Sequence, residues 1–214
     1  MNLTIITAIH NNLYGLKNVI KSLENQTYKT FEHILVDDCS TEISYEDLEN
    51  LCKDNLHRHF VKLGFRSHYY GCFPRSIGTL LSFSYIHHSK RDIENEWVCF
   101  LDTDNLWESN HLQSLIDIAK INPEVTMIAS DAKWIGANDI NWKKIVPAKL
   151  QQGHIDLGQF IYKTSLFRKY GYWFAHPKRK HKYDWELIKK MADGEGDKLV
   201  YTHKPTFLMN YKKK

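Results

Sequence analysis

The chain has 214 residues, 43% hydrophobic and 13% aromatic, enough to bury one substantial core, so a single domain is expected. Lys and Arg number 29 against 25 Asp and Glu, a formal charge of +4, too mild and too dispersed to mark a nucleic-acid binder. No apolar run is long enough for a transmembrane segment, the opening lacks a secretory pattern, and Cys39, Cys52, Cys72 and Cys99 form no C-x-x-C pair, so reduced thiols in a cytoplasmic protein are expected.

Residues 3–7 form a short apolar run suited to a buried strand, and the polar turn His10-Asn11-Asn12 leads to Leu13, Leu16, Val19, Ile20 and Leu23 at helical spacing. The unit repeats: 31–36 reads as a second strand, Leu48, Leu51 and Cys52 mark a short helix, and a third strand falls near 60–63. Such alternation predicts a mainly parallel sheet covered by helices on both faces. A helix is predicted over 74–88, then a strand over 97–101 that ends in Asp102-Thr103-Asp104-Asn105. Leu112, Leu115, Ile116 and Ala119 predict the next helix, and 125–130 a strand ending at Asp131. Residues 136–153, with Asn138, Asp139, Asn141 and Pro147, read as a long irregular loop, a length that usually signals function. A helix near 164–170, the basic run 178–182, a helix over 184–192 and strands near Leu199 and Phe207 complete the chain.

Acidic residues follow three predicted strands, at Asp37-Asp38, Asp102/Asp104 and Asp131, where open α/β sheets place ligand sites. A single Asp there is more often a turn or cap residue. Asp102 and Asp104 are a stronger signal, because alternate residues of an extended segment point the same way and two carboxylates can approach one cation. Hard oxygen ligands suit Mg2+ or Mn2+, completed by substrate phosphates. In Asp184-Trp185-Glu186-Leu187 the first acid is either an N-cap or a general base, and spacing alone does not choose. The basic run 178–182 reads equally as a solvated loop or as a clamp on a diphosphate. Trp173, Trp185 and Tyr183 read as core first and as sugar-stacking residues second.

In order along the chain, the motifs resemble the family-2 glycosyltransferases. The resemblance runs from Leu3 to about Tyr211. Its pieces are Leu3-Thr4-Ile5-Ile6-Thr7 with Asn11, Ser22-Leu23-Glu24-Asn25-Gln26-Thr27, Val36-Asp37-Asp38-Cys39-Ser40-Thr41, Arg75-Ser76-Ile77-Gly78, Phe100-Leu101-Asp102-Thr103-Asp104, Gly158-Gln159-Phe160 with Phe167-Arg168-Lys169-Tyr170-Gly171, and Asp184-Trp185-Glu186-Leu187.

The resemblance implies an α/β single-domain GT-A fold, the nucleotide-diphospho-sugar transferase fold, with a nucleotide-binding part over about 1–105 and an acceptor-side part over about 106–214. It implies sugar transfer with inversion, from a nucleotide sugar, expected to be UDP-linked, to a glycan or other hydroxyl acceptor, with Mn2+ or Mg2+. Thr7 and Asp38 would hold base and ribose, Asp38 accepting from a uracil-like ring. Arg75 would lie by the nucleotide or diphosphate, Asp102 would contact ribose or metal, Asp104 would ligate the metal, and Asp184 would deprotonate the acceptor, with Glu186 the lesser candidate. His10 stands where the family often has tyrosine, and Asn210-Tyr211-Lys212-Lys213-Lys214 lacks the family's aromatic, Arg and His cluster, so water or phosphate oxygens are expected to fill the metal shell. A non-catalytic nucleotide-sugar or glycan-binding module is the alternative. A nucleotidyltransferase fits less well, because 8–12 holds no glycine for a phosphate loop.

Overall fold

The computed structural model describes all residues except 69, 89–91, 137–142, 174–182 and 212–214. β1 (Asn2–Ile9) leads into α1 (Leu13–Glu24), which starts where the Asn12 side chain accepts the Gly15 N–H, a cap that satisfies one orphan donor of the first turn. Leu16, Val19, Ile20 and Leu23 are its buried stripe. β2 (Phe31–Asp37) is followed by α2 (Tyr45–Cys52), whose Ser44 and Asp47 satisfy each other's backbone N–H groups as a capping box. β3 (Arg58–Lys62), α3 (Cys72–His88) and β4 (Glu96–Phe100) complete the half that alternation predicted.

The second half is β5 (Leu106–Trp107), α4 (His111–Ile121), β6 (Met127–Gly136), β7 (Lys143–Val146), β8 (Phe160–Lys163), α5 (Ser165–Tyr170), α6 (Tyr183–Glu195) and β9 (Leu199–Tyr211). Among the described residues these strands form one sheet in the order β3-β2-β1-β4-β8-β6-β9-β5, with β7 beside β6. β3, β2, β1 and β4 are parallel to one another, and β6 is parallel to β9. β8 runs antiparallel to both β4 and β6, β7 to β6, and β5 to β9.

Period-two alternation sorts the strand residues onto two faces. Leu3, Ile5, Trp97, Cys99, Ile128 and Ile161 pack with Val19, Leu23, Leu112, Leu115 and Ile116 of α1 and α4. Ile6, Val98, Phe100, Met127, Phe160 and Tyr162 pack on the other face with Leu166 and Phe167 of α5 and Leu187, Ile188 and Met191 of α6. Trp173 sits in this second core, 1% exposed, with its ring 5.1 Å from Phe100. α3 lies on the same face so closely that a Cβ at Gly78 would overlap Ile6.

The strand expected to end at Asp131 continues to Gly136 instead. The Asp131 carboxylate is buried and accepts the Ala148 N–H at 2.7 Å, so this acid ties the middle of β6 to the segment after β7 and is no strand-end ligand. The two strands expected near Leu199 and Phe207 are one, β9, with a register shift opposite Asp131 and a positive φ of 55° at His203, the local geometry of a bulge. Part of the expected irregular loop is the strand β7. Asn138, Asp139, Asn141, the basic run 178–182 and the terminal lysines lie outside the described residues.

Candidate active site

β1 pairs with β2 on one side and β4 on the other, all parallel, so the chain order reverses at β1. The carboxyl ends of the strands at such a reversal are the usual ligand position of open α/β sheets. Four segments meet at this edge: the turn after β1, the Asp37-Asp38 loop after β2, the loop into α3, and the Asp102-Thr103-Asp104 loop after β4.

The first two segments are tied together by Asn11, whose side-chain oxygen accepts the N–H groups of Thr41 (2.8 Å) and Glu42 (3.1 Å), while its own N–H donates to Ser40 Oγ at 2.9 Å. Asn11 and Cys39 have positive φ values of 48° and 56°. Non-glycine residues reach that region at a cost that surrounding bonds must offset. Gly15 carries the link to the fourth segment, because a Cβ there would overlap the carbonyl oxygen of Thr103. Asn12 donates to that carbonyl and to Thr103 Oγ1, at 3.3 and 3.0 Å, so the start of α1 holds the Asp102–Asp104 turn.

Asp37 and Asp38 have different partners. Asp37 is buried against Lys62, 2.7 Å away, and Ser40. Asp38, 1% exposed, accepts from Ser67 N and Oγ, both at 2.9 Å, and from Arg66. A carboxylate has roughly four acceptor positions. Oδ2 of Asp38 takes two of these donors and Oδ1 only one, so Oδ1 retains capacity for a ligand N–H. Arg66 and Ser67 were missed in the sequence, where nothing but their place after a strand sets them apart.

Arg75 stands in the first turn of α3, 5% exposed. Its guanidinium donates to Asp102 Oδ2 at 2.6 Å, to Asp184 Oδ1 at 3.2 Å and to the Tyr70 carbonyl at 3.0 Å. Three of the expected site residues, distant in sequence, are thus joined by one cation. Burial works against the charge of Arg75, and the Asp102 and Asp184 carboxylates more than offset it, holding the guanidinium above its ordinary pKa. At Asp184, burial raises the carboxyl and outweighs Arg75, which lowers it; Asp102 adds to the rise. The Asp184 side chain is nevertheless 41% exposed, so it faces both the protein and an open space.

That space is a pocket of about 290 Å³ lined by Asp184, Trp185, Tyr70, Cys72, Gln152 and Asp156, among others. Burial, with Asp184 and Asp102 adding to it, pushes the Cys72 thiol up to about 12, so Cys72 is an inert wall and no nucleophile. Asp156 was not singled out from the sequence, although D-x-x-Q at Asp156 and Gln159 is a legible capping box. Thr7 lies apart from the group around Arg75. It is fully buried and its hydroxyl is 2.9 Å from His33 Nε2.

Asp104 is exposed at the turn after β4. Among the described residues no group of three or more His, Cys, Asp or Glu side chains could hold a metal ion. Asp102 and Asp104 alone supply one or two carboxylates, the donor set of a Mg2+ or Mn2+ site that takes its remaining oxygens from phosphate and water. The residues present fit a cation brought in with a diphosphate. No described helix is long and apolar enough to cross a membrane.

Residues 4–71 match the family model described as glycosyl transferase family 2, while no curated protein matches the chain. Among solved structures, TarS of S. aureus superimposes with a TM-score of 0.73 at 18% identity over 99% of this chain and 37% of its own. A 1–349 form of S. aureus TarS in complex with UDP-GlcNAc does so with a TM-score of 0.73 at 19% identity over 100% of this chain and 60% of that one. The mannosyltransferase PcManGT from Pyrobaculum calidifontis, in complex with GDP-Man and Mn2+, gives 0.68 at 15% identity over 99% and 57%. The chain spans less than two thirds of the length of each. The frame of these proteins is the GT-A fold, and the motifs that run from Leu3 onward sit in it in the expected order. Residues 4–71 thus carry the family-2 glycosyl transferase pattern, and the chain as a whole has the GT-A fold of these structures.

Proposed function

We propose that the chain transfers a sugar from a nucleotide-diphosphate sugar, UDP-linked, to a hydroxyl acceptor with inversion, aided by Mn2+ or Mg2+. The observation that carries this reading is the bridge of Arg75 between Asp102 and Asp184. It brings the acid of the D-x-D turn, a buried cation and a half-exposed acid together at the carboxyl edge of the sheet. The nucleotide-binding part would cover about 1–105 and the acceptor-side part about 106–214. Reduced cysteines, all four of them free, fit the proposed cytoplasmic location.

In this mechanism the uracil ring N–H donates to Asp38 Oδ1, which among the described residues accepts only the Ser67 N–H. Asp102 would hold ribose or metal, and Asp104 would hold the metal. When bound, the cation neutralises charge that builds on the departing diphosphate. Arg75 orients Asp102 and Asp184 and adds a fixed positive charge beside them. Asp184 takes the proton of the acceptor hydroxyl. The hydroxyl oxygen forms the new bond to the anomeric carbon as the bond from that carbon to the phosphate oxygen breaks, so the nucleoside diphosphate leaves from the opposite face and the configuration inverts. The raised carboxyl of Asp184 makes it a stronger base than a solvated Asp once ionised.

The test uses hydrolysis of UDP-sugars, with water as acceptor, and direct donor binding. Asp184→Asn should lower Mn2+-dependent UDP release by roughly 10²–10⁴-fold and leave donor affinity near wild type. Wild-type turnover in that variant contradicts the base assignment. A product of retained configuration contradicts single displacement. Donor binding with no turnover in the wild type favours a non-catalytic binding module.

A further inference from the structure

Asp156 caps a short turn before β8. Its Oδ1 accepts the Gly158 N–H at 2.8 Å, and its own N–H donates to Gln159 Oε1 at 2.8 Å. The turn is closely built. A Cβ on Gly158 would stand 2.6 Å from Phe207 Cε2 and 3.3 Å from that same Oδ1, so a side chain there would overlap Phe207 and crowd the carboxylate. The second carboxylate oxygen receives no hydrogen bond from a described residue. No lysine or arginine forms an ion pair with Asp156 among the described residues either. A neutral Asn or Ser could cap this turn without burying an acid, so capping alone does not explain the carboxylate.

The free oxygen belongs to a side chain that lines the same pocket as Asp184, Trp185 and Gln152. Beneath it, the phenol of Tyr162 is fully buried with its oxygen unpartnered. Asp156 is also the nearby charge that most opposes ionisation of that phenol. The pocket's wall therefore combines an aromatic ring, an amide and an acid with acceptor capacity, the mixture that a polyhydroxylated ring needs for face stacking and hydroxyl recognition.

We propose that Asp156 is a specificity residue, whose free carboxylate oxygen accepts a hydrogen bond from a hydroxyl of the sugar held between Trp185 and Asp184. The proposal rests on the glycosyl-transfer reading. The hydroxyl belongs to the donor sugar or to a sugar acceptor, and both present the same chemistry to the pocket. Burial, with Asp102 and Asp184 adding to it, pushes the Asp156 carboxyl up to about 7, which suits an acid whose charge is stabilised only when a donor group arrives.

The test is Asp156→Asn in the full chain. The amide oxygen can still accept the Gly158 N–H, so the turn is kept, while the free acceptor becomes an N–H donor. Binding of UDP, UDP-glucose, UDP-galactose and UDP-GlcNAc is titrated with Mn2+, and transfer to a set of methyl glycosides is followed. UDP affinity should stay within about twofold of wild type, and the sugar-dependent readout should fall by about tenfold or more, as when a built hydrogen-bonding site loses its partner. Loss confined to the best nucleotide sugar assigns the hydroxyl to the donor. Unchanged donor affinity and hydrolysis with a raised KM for the best methyl glycoside assigns it to the acceptor. Equal loss for UDP and nucleotide sugars, or wild-type behaviour throughout, overturns the proposal and leaves Asp156 as a cap. Wild-type protein that binds none of the nucleotides overturns the glycosyl-transfer reading itself, and that result is seen before any variant is made.

Discussion

Arg75 shows how far a single residue carries the site. In the sequence it is one basic residue in Arg75-Ser76-Ile77-Gly78; in the fold it is the contact between the turn after β4 and the first turn of α6. Replacing it with Met removes a buried charge and leaves two acids side by side. Loss of one partner from a fully buried pair costs about 3–5 kcal/mol, and because the Asp102 and Asp184 side chains are 25% and 41% exposed, a smaller loss, about 1–2 kcal/mol, is expected here after screening. Urea unfolding of Arg75→Met checks this, and an unchanged midpoint would contradict it. Two buried histidines give a second residue-scale prediction. His33 and His111 are held neutral, their pKa values lowered to about 3 by burial, with Arg58 adding to the effect at His33. Unfolded chain binds protons there that the native state does not, so their contribution to stability is present above about pH 6.5 and is lost as pH falls toward 3. Asp156 acts with the opposite sign, since its raised carboxyl favours the native state at low pH and loses that advantage as pH rises to about 7. His111→Phe, which can keep the stacking on Trp107, should therefore flatten the rise in unfolding free energy between pH 4 and 6.5 by at most about 1.4 kcal/mol per pH unit. Asp156→Asn should steepen it. Denaturant unfolding at several pH values measures both slopes.

At the scale of elements, α1 is a helix by its periodicity and a scaffold by its first turn. Gly15→Ala improves intrinsic helix propensity by up to about 1 kcal/mol. Here the added Cβ would overlap the Thr103 carbonyl, so the substitution should destabilise the protein by about 1–3 kcal/mol and weaken Mn2+-dependent donor binding by displacing the Asp102–Asp104 turn. A stabilised Gly15→Ala with unchanged binding would contradict that coupling. The first half of the fold was legible because β1, β2 and β4 are largely buried runs and α1 carries a clean stripe, so the two periods separate. The second half was less so. β8 is short, and its Phe160-Ile161-Tyr162 run carries no polar alternation to mark it as a strand. β6 passes through an acid whose satisfaction by Ala148 N depends on a distant loop. The register shift in β9 has no local sign beyond His203. The same limit applies to the site. Asp38, Asp102, Asp104, Arg75 and Asp184 were marked by their motifs, whereas Arg66, Ser67 and Asp156 act through contacts that only folding creates.

Across the whole molecule, one sheet carries two different halves. The parallel half supplies strand ends and loops that converge at the carboxyl edge of the sheet, and the mixed half folds β8 back against β4, bringing the Asp156 turn and the start of α6 to the same edge. The proposed division of labour, donor on the first half and acceptor on the second, follows that construction. Its central claim is that this edge of the sheet binds a nucleotide sugar with a divalent cation. The most direct measurement is the melting temperature of the wild type and of Asp104→Ala with UDP-sugars, each with and without Mn2+, because a ligand that binds only the native state raises stability by mass action. The account predicts a rise for the wild type that needs both the nucleotide sugar and Mn2+ and is absent in Asp104→Ala. No rise with any nucleotide sugar, or an equal rise in Asp104→Ala, would contradict it.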